Sequence, residues 1–210
     1  MRRRAVSIPV DGAQAAHVTL EVAIGQLRLA GGARPGLLLE GTLELPDGVE
    51  LDERCTRRDG LLHCALSTRF EQHNPRSLRR GPRWELPLAP GVALRLGIEV
   101  GASQCLLDLS ELQLTELAMQ ADVGKSEVVL PASGQPRACL KSGVGETLVK
   151  IPDAMAARVR MQSGIGSIKV DGRFPRQGNA HQSAGYDTAA QRVDLRIEAG
   201  LGSIAVRSNG

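Results

Sequence analysis

The chain has 210 residues, of which 42% are hydrophobic, so it can bury a genuine core in one large domain or two small ones. Its net charge of +3 is too small to favour nucleic-acid binding, and an aromatic content of 2% leaves few ring faces for stacking on bases or caging sugars. No stretch reaches the roughly 20 apolar residues of a membrane-spanning helix, and no signal peptide follows the opening MRRR. We therefore expect a soluble protein, or the soluble part of a membrane protein, with an aliphatic core.

The first predicted element is a strand-glycine-strand unit, HVTLEVAIGQLRLAGG, and it is followed by long hairpins over residues 33–90. The hairpin strands are GLLLEGTLEL, VELDERCTR and LLHCALSTRF, with turns at 46–48 and at Asp59 and Gly60. No flexible linker separates these hairpins from the rest. We predict a single domain over 1–210, with the first unit and a hairpin insertion in 5–90 and regular repeats in 91–210.

The turn at Asp59 and Gly60 places Cys55 opposite Cys64, at a non-hydrogen-bonded site where the two Cα atoms come closest. A cross-strand disulfide and a packed pair of reduced thiols are both compatible with this geometry. The other cysteines, Cys105 and Cys139, lie far apart along the chain, and the four together lack the spacing of a zinc site.

A basic loop, NPRSLRRGPRW, follows the hairpins and contains Arg76, Arg79, Arg80 and Arg83. Such a cluster is most often solvated charge, and its functional alternative is contact with an anionic lipid surface or an acidic partner.

Five further copies of the glycine unit follow: LRLGIEVGASQCLLDL, LAMQADVGKSEVVLP, ACLKSGVGETLVKIP, RVRMQSGIGSIKVDG and VDLRIEAGLGSIAVR. The six anchor glycines, which we predict to be structural bends, are Gly25, Gly101, Gly124, Gly145, Gly166 and Gly202. Strict alternation of apolar residues indicates strands, and its change of phase at each glycine indicates a bulge or sharp bend. This interpretation puts Ile165 and Leu201 on the inward face. Successive units are expected to stack side by side, as an all-β, β-solenoid-like fold or a strongly bent β-sandwich.

No pattern in the sequence indicates catalysis. The GxG pairs lie between two strands, whereas phosphate-binding glycines lie between a strand and a helix, so we interpret them as bends. The four histidines have no metal-ligand spacing, and no paired carboxylates are evident. We expect no catalytic residue, no metal and no cofactor.

These units, from VSIPVDGAQAAHVTLEVAIGQLRLAGG to SGIGSIKVDG and AGLGSIAVR, resemble the toastrack domain of LiaF-like bacterial envelope-stress proteins. The resemblance implies a β-solenoid-like domain, usually attached to transmembrane helices, that senses or regulates cell-envelope stress.

The resulting hypothesis is a non-catalytic interaction or scaffolding module whose partner is a protein, such as a membrane regulator or a sensor kinase. Self-assembly into a homo-oligomer, with LGSIAVRSNG as the exposed last strand, and binding to an anionic membrane surface are the alternatives. No nucleic-acid partner is expected. The expected location is cytoplasmic, at the membrane face, and an extracytoplasmic location stays open.

Overall fold

A computed structural model describes residues 1–70 and 81–209 and confirms the expected all-β fold. Apart from a 3-10 turn at Tyr186–Thr188, the regular elements of this part of the chain are strands. They are β1 (Arg2–Pro9), β2 (Ala15–Gly31), β3 (Leu37–Leu45), β4 (Val49–Arg58), β5 (Leu61–Phe70), β6 (Arg83–Leu88), β7 (Ala93–Asp108), β8 (Leu114–Val129), β9 (Arg137–Pro152), β10 (Ala156–Val170), β11 (Arg176–Gln177), β12 (Ala180–Gln182) and β13 (Arg192–Asn209).

The strands form one sheet, in the order β1-β3-β6-β2-β7-β8-β9-β13-β10-β12-β11. Six long strands, β2, β7, β8, β9, β13 and β10, run parallel to one another and make up the regular ladder. The sheet divides at β2, because β5 pairs with its first half and β6 with its second half. β4 extends the β5 branch as a hairpin.

Each long strand must fold back on itself. A straight strand of 16 residues would be about 50 Å long, yet residues 109–113, which reach about 21 Å at most, return the chain from the end of β7 to the start of β8. Each strand is therefore a bent rung with two arms that face each other. The amide of Leu94 donates to the carbonyl of Gln113 at 2.8 Å where one rung closes onto the next.

The core lies between the two sets of arms. On the first arms, Leu20, Ile98, Met119, Leu140 and Ile197 follow one another in register and are buried. An equivalent buried row on the second arms contains Leu29, Leu107, Val128, Val149 and Val206. Complete burial of such a side chain contributes about 1.5–3 kcal/mol. The aliphatic core expected from composition is thus built from rows that run across the strands.

The order of the rungs differs from the sequence expectation in one place. β13 lies between β9 and β10, so β9 and β10 are not neighbours and LGSIAVRSNG is not the exposed last strand. The edge rung is β10. Residues 153–155 carry the chain past the position that β13 fills. The sequence could not show this, because every rung carries the same pattern and fits beside any other.

Arg173 holds the crossing between β9 and β10 together. Its guanidinium donates to the carbonyl oxygens of Pro152 at 3.0 Å and Asp153 at 2.7 Å, and also to that of Met155. It donates further to Ser208 Oγ at the end of β13, at 3.0 Å. One cation therefore binds three carbonyls of the tight crossing and ties them to the end of β13.

The bends of neighbouring rungs coincide in a single row, which we call the glycine column. It contains Gly25, Ser103, Gly124, Gly145, Gly202 and Gly166, paired in that order. Its five glycines have φ between 133° and 151°. A Cβ built on Gly145 would overlap the carbonyl oxygen of Gly124, so the rungs approach too closely there for any side chain.

The sequence alignment that sets Gly101 level with Gly25 and Gly124 is wrong by two residues, although Gly101 does lie at the bend of β7, where the pairing with β2 is interrupted. Ser103 pairs with both Gly25 and Gly124, and Gly101 lies two residues earlier against the carbonyl of Ala23. Ser103 is not among the residues with positive φ, so this rung bends without needing a glycine at the column.

We predict that Gly145→Ala lowers the free energy of unfolding by about 2–4 kcal/mol, because alanine is strained at this φ and its methyl meets backbone. Chemical denaturation gives the value. Gly91→Ala is the matched control, since Gly91 has open space around it and no positive φ, and its change should stay within about 0.5 kcal/mol. Equal losses in the two variants would contradict a special role for the column.

Candidate functional site

Large aliphatic side chains stand exposed at the bends of four neighbouring rungs, at the position just before the glycine column. The most exposed are Val123 (51%), Val144 (43%), Leu201 (48%) and Ile165 (72%). These four pair with one another in register across β8, β9, β13 and β10. With neighbouring strands about 4.8 Å apart, they form a row about 14 Å long. We call this row the apex ridge.

Ile165 and Leu201 lie on the outer face, so the expectation that they face inward is wrong. Pairing between β10 and β13 runs from Ser163 opposite Ala199 directly to Ile165 opposite Leu201, so the irregularity falls one residue before Ile165. The phase therefore changes at the first glycine of each GxG pair, and the aliphatic residue between the two glycines is already outside. Alternation alone could not show which glycine changes the phase.

A shallow groove of about 650 Å³ lies beside the apex ridge. Its floor contains Gly143, Gly200 and Gly164, the first glycines of the GxG pairs, and polar side chains including Lys141, Glu198 and Gln162 line it as well. These glycines lie within β9, β13 and β10. Because the floor has no side chains, a partner could approach the backbone closely there.

Paired charges flank the ridge and the groove. Lys141 Nζ lies 3.9 Å from a carboxylate oxygen of Glu198, and Lys125 Nζ lies 3.3 Å from one of Glu146. An apolar strip between mutually neutralised charges has the composition of a protein contact surface, with an apolar centre and a polar rim.

Two histidines that the sequence did not bring together meet on the outer face. His17 on β2 lies opposite His63 on β5, with ring centroids 5.8 Å apart. Burial lowers the pKa of His17 from its ordinary value of 6.5; Arg95 and His63 lower it further, and Glu116 opposes them. The pairing depends on the parallel alignment of β2 and β5, which leaves no short-range signal.

We predict that stability falls as the pH drops below about 6.5. His17 binds its proton less readily in the folded state, so the unfolded chain takes up more protons in this range, and the loss levels off once folded His17 is protonated too. Denaturation at a series of pH values measures the effect. His17→Gln should flatten this dependence, and an unchanged profile in that variant would assign the effect elsewhere.

The structure joins Cys55 and Cys64 in a disulfide across β4 and β5, with Cα atoms 4.2 Å apart. Cys105 and Cys139 are free. Burial raises the pKa of the Cys105 thiol to about 12, which leaves almost no reactive thiolate at neutral pH.

We predict that native protein kept oxidised is alkylated at Cys139 and not at Cys105, and that Cys55 and Cys64 react only after reduction. Peptide mass mapping of each cysteine before and after reduction checks this. Alkylation of Cys55 in unreduced protein would show a reduced pair, and rapid labelling of Cys105 would contradict its burial.

The basic loop lies largely outside the described residues, since Arg76, Arg79 and Arg80 fall in 71–80. Arg83 is on β6, where its Nε donates to Gln26 Oε1 at 3.0 Å. Anionic-lipid binding by these arginines stays a prediction.

Among the described residues, no group of three or more histidine, cysteine, aspartate or glutamate residues could hold a metal ion. In the same two segments, 1–70 and 81–209, no helix has the length and apolar character needed to cross a bilayer.

Comparison with known proteins connects this geometry to a family and to a fold. The family model described as the N-terminal domain of toast_rack, DUF2154, matches residues 1–150. A comparison with curated proteins finds no match.

Two solved structures resemble the chain. One, described as a "putative cell adhesion protein" from Clostridium sporogenes, has a TM-score of 0.91 at 21% identity, with 99% of each chain covered. It shows the same fold. The other, described as a "putative adhesin" from Bacteroides fragilis, has a TM-score of 0.37 at 10% identity, covering 98% of this chain and 96% of that one.

Proposed function

Because the chain belongs to the family of the toast_rack N-terminal domain, we propose that it is a non-catalytic module that binds a partner protein through the apex ridge. The observation that carries the proposal is the row of exposed aliphatic residues, Val123, Val144, Leu201 and Ile165, in register on four neighbouring rungs. Isolated exposed apolar residues are common, but a continuous row rimmed by charge is typical of an interaction site.

The energetics support a specific contact of moderate strength. Covering a half-exposed aliphatic side chain contributes about 1 kcal/mol, so the ridge supplies several kcal/mol before the costs of association. The partner that fits presents its own apolar row to the ridge and a narrow projection to the glycine-floored groove. Its rim charges would face Lys125, Glu146, Lys141 and Glu198.

The cellular role we propose is regulation of the bacterial response to cell-envelope stress, with a membrane regulator or a sensor kinase as the partner. The resemblance of the repeated units to LiaF-like proteins supports this role. We place the module at the membrane, on its extracytoplasmic side. The disulfide between Cys55 and Cys64 supports that side, because such bonds persist in oxidising compartments.

We predict that a photo-reactive amino acid at Leu201 forms a cross-link to one partner in living cells, whereas the same group at Arg58, on exposed β4, does not. Val144→Asp should abolish the Leu201 adduct, because it places a charge in the apolar contact. Mass spectrometry identifies the partner. Equal cross-linking at both positions, or an adduct that survives Val144→Asp, would contradict binding through the ridge.

The stress role has its own readout. The double variant Val144→Asp, Leu201→Asp should alter the induction of an envelope-stress reporter by a cell-wall antibiotic, and Arg58→Asp should not. A normal reporter response in a variant that has lost the cross-link would still support binding through the ridge, but it would contradict the proposed role in the stress response.

A further inference from the structure

The ladder ends at β10, and much of the outer edge of this strand carries no partner. β10 pairs with β13 along its whole length. On its other side it pairs with β12, at Arg158 and Val159. From Arg160 to Val170, no strand of the described part of the chain pairs with the outer edge. A free edge is a template for a further strand.

The core is also open at this edge. Ile168 is 42% exposed, although Ile204, Thr147 and Cys105, at the same position on other rungs, are buried. Ile168 differs only in having no rung beyond it. At the second arm of β10, the stack therefore lacks the further strand that would cover Ile168.

The segment 171–191 covers only the first arm of β10. Ser183 bonds both backbone groups of Ala157, and the Arg158 guanidinium lies 4.3 Å from the centre of the Tyr186 ring. Phe174 in this segment is buried. The uncovered part therefore begins at Arg160 and includes Ile165 and Ile168.

We propose that a second copy of this chain covers the edge, with the two β10 strands paired antiparallel about a two-fold axis. Met161 lies opposite Val170 of the second copy, Ser163 opposite Ile168 of the second copy, and Gln162 opposite Lys169 of the second copy. The resulting dimer continues the sheet through both copies and joins their apex ridges. It does not depend on a partner binding to the ridge.

The phase change at the bend makes β10 complementary to itself. Inward residues carry odd numbers on the first arm, as Val159 and Met161 do, and even numbers on the second arm, as Ile168 and Val170 do. A two-fold antiparallel pairing sets the first arm of one copy against the second arm of the other. The proposed register then places inward residues against inward residues, as sheet continuity requires.

Charge disfavours one of the two neighbouring registers. A shift of two residues along the strand would keep the faces matched but would put Arg160 opposite Lys169 of the second copy, and like charges directly opposite are destabilising. In the proposed register, Lys169 faces the neutral Gln162 of the second copy, and Arg160 keeps its ion pair with Asp194 of its own chain, at 2.9 Å. A lysine on an edge strand usually opposes pairing with a further strand, but Lys169 meets no like charge when it lies opposite Gln162.

The length of the free edge of β10 also agrees with the proposed register. β10 ends at Val170, and Asp171 begins a turn in which its carboxylate accepts from the amide of Arg173. In the proposed register the second copy's strand therefore ends opposite Met161, two residues from Val159, where β12 occupies the edge. The ten residues from Met161 to Val170 of one copy therefore pair with the same ten residues of the other.

Sedimentation velocity over a micromolar to millimolar concentration series tests the dimer. We expect reversible dimerisation, weakened about tenfold or more by Ile165→Lys, which adds one charge per copy at the contact. Val123→Lys is the matched control, because Val123 is an exposed member of the same ridge three strands away. Circular dichroism and thermal unfolding establish that both variants fold.

Cysteine cross-linking tests the register in a Cys139→Ser background. A mixture of Gln162→Cys and Lys169→Cys proteins should form a disulfide-linked heterodimer, whereas neither protein alone should do so. Gln162→Cys mixed with Ser167→Cys represents the register shifted by two residues and should not cross-link. A monomer at every concentration, equal effects of Ile165→Lys and Val123→Lys, or cross-linking through Ser167→Cys instead of Lys169→Cys would overturn the proposal.

Discussion

Neighbouring rungs bend at the same place because the carbonyl of one occupies the volume in which a Cβ of the next would lie. This close approach, seen at Gly124, Gly145, Gly202 and Gly166, aligns the bends and so brings both sets of arms face to face. The narrow space between the arms is filled by aliphatic rows, which accounts for a core with so few aromatic residues. Ser103 shows the limit of the constraint: that rung keeps its bend without positive φ, with its hydroxyl buried and unpartnered.

The same bend creates the surface that we assign to function. A strand that turns this tightly cannot keep every alternate side chain inside, and on β8, β9, β13 and β10 the residue directly before the glycine column is left in solvent. Because the rungs are in register, the exposed residues of neighbouring bends line up in a continuous ridge. The free edge of β10 also results from repetition, since the last rung of a stack has no further rung to cover its backbone edge and core residues. Both surfaces result from the architecture rather than from any chemically reactive group.

Much of the fold could be predicted from local patterns. Alternation identified the strands, the glycines identified the bends, and the turn at Asp59 and Gly60 placed Cys55 opposite Cys64. What the sequence could not provide depends on contacts between distant segments. Identical rungs carry no information about their order, so the insertion of β13 was missed, and so was the meeting of His17 with His63. The ridge did leave a signal, an aliphatic residue directly before each repeated glycine, but the pattern was assigned to the core.

The position of β13 has a consequence for biosynthesis. Both of its neighbours, β9 and β10, precede it in the chain, and Arg173, which bonds to Ser208 at its far end, is also made earlier. A nascent chain leaving the ribosome therefore holds two long strands apart, each with an unsatisfied edge, until Arg192–Asn209 emerges between them. Closure of this half of the molecule must wait until Arg192–Asn209 has been translated, and that interval is when the growing chain most needs a chaperone.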